Sequence, residues 1–156
     1  GILRAHLARG NRQLDALREA TEALVVFQGP DFYVSPSWYP SKAEHGKVVP
    51  TWNFAMVQAR GKPRVIDDAG WVREQVEQLT TNQENGRAHP WKVSDAPDDY
   101  IAAQLKGIVG FEMAIHSIEG KWKMSQNRQA TDRQGVIDAL RDEGCCPAML
   151  DTMERI

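Results

Sequence analysis

The sequence has no run of about 18 apolar residues, the length that a membrane-crossing helix requires, so no helical span is expected. It has only two cysteines, Cys145 and Cys146, and they are adjacent. Neighbours in sequence rarely reach unstrained disulfide geometry, so a reduced, cytoplasmic compartment is the simple expectation. The four histidines, His6, His45, His89 and His116, are scattered. None has metal-ligand spacing, and nothing completes a site around the two thiols, so no metal centre is expected. A glycine-rich phosphate loop is missing, as is any serine or cysteine in a nucleophile motif. Neither sign of charge dominates: 19 basic against 21 acidic residues leave a net charge of −2. That balance lacks the basic footprint of a DNA-binding surface. Charges rather than an apolar stretch follow Leu7, so no secretory leader is expected.

What is present is ordinary globular material. At 156 residues, with 42% apolar and 26% charged content, the chain is expected to be one domain over residues 1–156. Five tryptophans stand out; Trp38, Trp52, Trp91 and Trp122 lie in loop or strand-like context and Trp71 in a helical one. The most informative stretch is Val48 to Val57, which alternates Trp52, Phe54 and Met56 against Thr51, Asn53, Ala55 and Val57. Period two with aromatic and β-branched residues predicts a half-buried strand. Polar Thr51 and Asn53 share a face with small Ala55, and that face is expected to leave room for a ligand.

Taken in order, Asn11 is a good N-cap and Arg12 to Glu22 reads as helix. Leu24–Phe27 and Phe32–Val34 read as two strands of a hairpin, turned by Gln28-Gly29-Pro30-Asp31. A rigid loop over Ser35–Pro40 and an exposed polar stretch over Ser41–Lys47 precede the central strand, which runs to about Ala59. Gly61-Lys62-Pro63 is expected to turn it back into a strand at Arg64–Ile66. Asp67 or Asp68 caps a helix from Ala69 to about Asn82, with Trp71, Val72, Val76 and Leu79 on its apolar face. Asn85–Ala96 reads as loop. A helix starts at Pro97, with Asp98 and Asp99 favourable against its dipole and Tyr100, Ile101 and Leu105 on its buried side. Val109–His116 alternates as a second long strand. Ser117–Gly120 is expected to turn, and Lys121–Ser125 alternates again. A helix to Asp142 buries Val136, Ile137 and Leu140, and Pro147 starts a last helical turn or two. Six strands in hairpins with inserted helices give an α+β protein with a small antiparallel barrel.

Two places could hold an anion. The start of the Asn11 helix offers oriented amides beside His6 and Arg9, whose fork matches phosphate oxygens in pairs; an ordinary solvated helix start is the plain alternative. Lys121, Lys123 and Ser125 share a strand face, where lysines equally serve to protect an edge. Trp122, Gln126 and Asn127 add an aromatic plane and amides suited to a heterocycle or to packing. Asp67-Asp68 and Asp98-Asp99 read as helix starts rather than catalytic pairs.

Three blocks carry a resemblance to a known family. They are His6-Leu7-Ala8-Arg9-Gly10-Asn11; Val26-Phe27-Gln28-Gly29-Pro30 with Tyr33 to Tyr39 and Val49 to Phe54; and Ile108 to Phe111 with Glu119 to Arg128. In order and spacing the chain resembles the PaiB family of FMN-binding negative transcriptional regulators. Gly10 stands where alanine is expected and Arg12 where proline is common. The resemblance implies a split β-barrel with inserted helices, related to pyridoxamine-phosphate oxidases, and a homodimer holding FMN in clefts. It implies cofactor contacts from His6, Arg9, Asn11, Thr51, Trp52, Asn53, Lys121, Ser125 and Gln126. It also implies family sequence before the His6 block forming the first barrel strands, so either an incomplete barrel or a sequence whose numbering starts late is expected. Three functions stay open: a flavin-linked repressor, a flavin-dependent oxidoreductase without an evident acid or base, and a dimer that has lost its cofactor. Direct contact with DNA has no support from charge.

Overall fold

The computed structural model describes residues 1–156. Its strands form one antiparallel sheet in the order β1-β4-β3-β2, within an α+β fold of the split-barrel kind. They are β1 (Ile2–Ala8), β2 (Ala23–Val34), β3 (Thr51–Ile66) and β4 (Ile108–Lys123). The helices are α1 (Gln13–Glu19), α2 (Ser41–His45), α3 (Ala69–Glu84), α4 (Asp98–Leu105), α5 (Ala130–Glu143) and α6 (Pro147–Arg155). The chain divides into two compact units, residues 1–24 with 59–117, and residues 25–58 with 118–156.

Four strands replace the expected six because three of the expected turns are strand interior, which merges six strands into three, and the unforeseen β1 adds a fourth. Gln28-Gly29-Pro30-Asp31 lies inside β2. β2 is an edge strand, where proline forfeits no ladder bond on the free side. A Cβ on Gly29 would sit 3.0 Å from the Ala55 carbonyl oxygen, so glycine here serves close approach of two strands rather than a turn. Gly61-Lys62-Pro63 likewise runs straight through β3. Gly29 lies against Ala55, so in an antiparallel pair the start of β2 at Ala23 falls level with roughly position 61. Pro63 therefore lies past the end of β2, which asks no ladder bond of it on that side. Ser117–Gly120 continues β4, with the Trp122 ring lying over Gly120 in the space a Cβ would take.

In the first unit β1 pairs antiparallel with β4, Ile2 opposite Ala114 through Ala8 opposite Ile108. This strand occupies the stretch that the sequence left without an element. α1 is shorter than expected and ends where Ala20 turns extended. Asp68 caps α3 as expected, its carboxylate accepting from Trp71 N at 2.7 Å. Val72 is buried, whereas Leu79 is exposed. α4 begins beside Pro97 as predicted, but Tyr100 faces solvent and Ile101 alone of its expected trio is fully buried. Leu14, Ala59, Val72, Val93, Ile101, Val109, Phe111 and Met113 are the buried apolar side chains around which the unit packs.

On the same unit Glu112 binds Arg64 at 2.8 Å and Arg4 at 3.0 Å. Hydrogen bonding from Arg64 first, then from Arg4, holds the carboxyl below its ordinary range against the opposing effect of desolvation. A carboxylate depressed in the folded state adds stability above its unfolded pKa, and loses it as pH falls through the folded value. Glu112→Gln is therefore expected to lower the urea midpoint at pH 7 and to flatten its fall below about pH 4.5, where unfolded glutamate protonates. An unchanged acid limb would show that the two arginines do not bias this group.

The second unit has a single apolar cluster of Val34, Tyr39, Ala55, Met124, Val136, Ile137, Leu140, Met149 and Met153. α5 supplies Val136, Ile137 and Leu140 as predicted. α6 is longer than expected and adds Met149 and Met153 one turn apart. Ser35–Pro40 contains a 3₁₀ turn at Pro36–Trp38. The stretch expected to be exposed holds α2 and buried Ser41.

Candidate functional site

The central strand is where predicted, but its faces are reversed in use. Asn53 is 1% exposed and Ala55 6%, so the small face is packed into the core and leaves no ligand space. The large face is the open one: Trp52 is 53% exposed, and Tyr33 meets it edge-on with ring centres 6.1 Å apart. Burying the small face lets Met124, Val136 and the α6 methionines approach the strand closely; burying the tryptophan side would hold them off.

At the end of β4 the chain turns through Met124 to Arg128. Ser125 sits in the left-handed region at φ 60°, an uncommon place for a side-chain-bearing residue. Asn53 holds it there: Asn53 Nδ2 donates to Ser125 Oγ at 3.0 Å, both groups being buried. Gln126 folds back across the turn, accepting from Met124 N at 2.6 Å and donating to the Trp122 carbonyl at 2.7 Å. These three predicted site residues thus build the turn. Beside it Lys123 Nζ donates to the Thr51 hydroxyl. Lys121 lies over the Phe54 ring at 5.8 Å, and Arg128 over the Tyr39 ring at 4.7 Å. None of Lys121, Lys123 and Arg128 belongs to an ion pair. The second unit therefore combines exposed Trp52 and Trp122 with three cations that no carboxylate neutralises. A hollow of about 220 Å³ between Met56, Gln58, Glu119 and Lys121 adjoins them.

The other predicted residues lie in the first unit and are already engaged. Arg9 forks onto Asp67 at 2.8 and 2.9 Å and donates further to the Lys106 and Ile108 carbonyls at 3.0 and 3.3 Å. The Arg9 bond holds the Asp67 carboxyl below the usual range. An incoming phosphate would have to displace that carboxylate. His6 Nδ1 lies 2.8 Å from Gln75 Oε1. Asn11 is engaged as the expected N-cap: its Oδ1 accepts from Gln13 N at 2.9 Å ahead of Arg12, whose backbone is already helical, and α1 has only seven residues. The Arg9–Asp67 pair forms one side of a cavity of about 470 Å³ floored by Val72, Ala102, Leu105 and Ile108.

Sequence reasoning missed Tyr33 and Phe54 as walls and Arg128 as a cation. The alternation of Phe32, Tyr33 and Val34 held the signal for Tyr33. Nothing local pointed to Arg128, whose place depends on the turn held by Asn53.

Comparison with known proteins gives a consistent result. Residues 1–117 match a family model described as a putative FMN-binding domain. An uncharacterized protein of Emericella nidulans is 39% identical over 170 aligned residues, covering 92% of this chain and 68% of that protein. The protease synthase and sporulation protein PAI 2 of Bacillus subtilis is 34% identical over 138 residues, covering 88% of this chain and 64% of that protein. Among solved structures, the FAD and heme binding protein of Mycobacterium smegmatis superposes with a TM-score of 0.54 at 18% identity. That match covers 85% of this chain and 58% of the other, and at this identity the likeness is one of fold.

Proposed function

This chain belongs to the FMN-binding domain family of PaiB-like proteins, and we propose that it is a flavin-holding homodimer with a negative regulatory role in transcription. The observation carrying the flavin part is the open aromatic wall beside uncompensated cations in the second unit. A flavin is a flat, largely apolar ring system with a doubly charged phosphate, and it needs such a wall and such donors. Trp52 and Phe54 supply the wall; Lys121, Lys123 and Arg128 supply donors without a carboxylate to displace. When bound, FMN brings one- and two-electron transfer chemistry. The protein's part is to hold and orient it, with Asn53, Ser125 and Gln126 keeping the lysine-bearing strand end in shape.

The dimer has its support in the same unit. Val26, Phe27, Tyr33, Trp52, Ile118 and Trp122 are all more than 40% exposed. Monomers rarely leave so many large apolar groups in water. With a net charge of −2, the regulatory effect is read as indirect. A DNA complex whose affinity falls steeply with salt would replace that reading with direct binding.

The test is an absorbance scan of the protein before and after FMN addition and desalting. Retained flavin bands are expected, with Lys121→Ala weakening FMN by about 2 kcal/mol, roughly thirtyfold, as for a hydrogen bond to a charged group. Arg9→Ala is the informative companion. A larger loss there than at Lys121 would move the phosphate to the first unit, and absence of retained flavin would remove the reading. Light scattering on the same samples should give twice the monomer mass.

A further inference from the structure

His6 is not used by the flavin site proposed above, and its surroundings have the character of a second, separate ligand site. In the first unit a hollow of about 250 Å³ is lined by six apolar side chains, among them Trp91, Ile101 and Ile108, and by two polar ones, His6 and Gln104. Trp91, one of the lining residues, is 46% exposed. The volume is well below what a flavin occupies but above the roughly 150 Å³ that suffices for benzene in an apolar cavity.

The imidazole is anchored by one side-chain contact. Gln75 is 6% exposed, so its amide is fixed by packing. Its Oε1, 2.8 Å from His6 Nδ1, can only accept. In the neutral ring this contact puts the proton on Nδ1 and leaves the lone pair on Nε2. Nε2 has no protein partner. The one buried side-chain polar atom left without a partner is the Tyr39 hydroxyl, so Nε2 is accessible. The result is an apolar slot with an indole at its rim and a single oriented acceptor in its wall.

We propose that this hollow binds a small planar aromatic molecule bearing one N–H or O–H donor. The ring packs against Trp91 and the aliphatic walls, and the donor meets His6 Nε2. One acceptor in an otherwise apolar site selects for one donor, since a second polar group on the ligand would be buried without a partner. The site needs no flavin, so it stands or falls independently of the flavin reading.

The experiment is calorimetric titration of the whole chain with indole and with 1-methylindole, each without and with saturating FMN. Saturable one-to-one binding of indole is expected in the high micromolar to millimolar range, which is ordinary for so small a ligand. Capping the donor should weaken binding about fivefold, the worth of one hydrogen bond. Trp91→Ala, a change at an exposed position that leaves the fold intact, should weaken it about tenfold through lost aromatic contact. His6→Phe should abolish the difference between the two ligands. The proposal is overturned if indole shows no saturable binding, if 1-methylindole binds equally well, if Trp91→Ala has no effect, or if FMN competes.

Discussion

Gly61→Ala is expected to destabilise the protein by about 3 kcal/mol, at or above the upper end for overpacking a well-packed site. The new Cβ would stand 2.1 Å from the Ala114 carbonyl oxygen and 2.9 Å from its carbonyl carbon. Both belong to the backbone of β4, which is tied on its other side to β1 at the Ile2–Ala114 pair. No rotamer change can relieve the contact, so strands must separate or the ladder must break. Against a total stability of 5–15 kcal/mol, typical of such domains, that is a large fraction. Chemical denaturation should show a large fall in midpoint, or the variant should fail to accumulate folded. Gly10→Ala is the control, because nothing lies within 4 Å of its added Cβ. It should change stability by less than about 0.5 kcal/mol. Equal stabilities for the two variants would mean that β3 and β4 do not approach this closely.

The second large effect is expected at Asp132. This carboxylate is 4% exposed in the first turn of α5. One oxygen accepts from Ser41 N at 3.1 Å and the other from Ser41 Oγ at 2.7 Å. Removing the acceptor leaves a buried amide and a buried hydroxyl without partners, at roughly 1–3 kcal/mol for each such group. Asp132→Ala should therefore cost about 3 kcal/mol. Asp132→Asn should cost about 1 kcal/mol, because its oxygen can still accept from the amide while its nitrogen donates to the hydroxyl. Ser41 begins α2, next to Tyr39 in the second-unit cluster. The alanine variant should thus also loosen Trp38 and Tyr39, seen as faster exchange of the Tyr39 and Lys42 amides. Equal costs for alanine and asparagine would show that the two hydrogen bonds contribute little.

Several elements were legible because their causes are local. Asp68 caps α3 and the stripe Val136, Ile137 and Leu140 buries α5; both follow from residues within one or two turns. The strand around Trp52 followed from its alternation. Two of the false turns failed because a second strand comes close, and the third because a ring of the same strand lies over its glycine. Gly29-Pro30, Gly61-Lys62-Pro63 and Ser117–Gly120 have turn chemistry in sequence, but their glycines answer to a neighbour. Gly29 admits Ala55, Gly61 admits Ala114, and Gly120 lies under Trp122. A residue's usefulness in a turn is written in the residue itself; the approach of a second strand is not.

The candidate site divides in the same way. The sequence by itself determined that lysines, tryptophans and amides would gather at the end of one strand, since alternation and spacing place Lys121, Trp122 and Lys123 in register. It also determined the family resemblance, because the blocks that carry it are contiguous. Only the tertiary structure decided which face of β3 was free. Asn53 and Ala55 went inward because Met124, Val136, Met149 and Met153 fill that side, and those residues come from segments far along the chain. Only the tertiary structure neutralised Arg9, through an aspartate 58 positions away, and left Lys121 and Lys123 without such a partner. Charge in a sequence is a count, whereas an available charge depends on what the fold sets beside it.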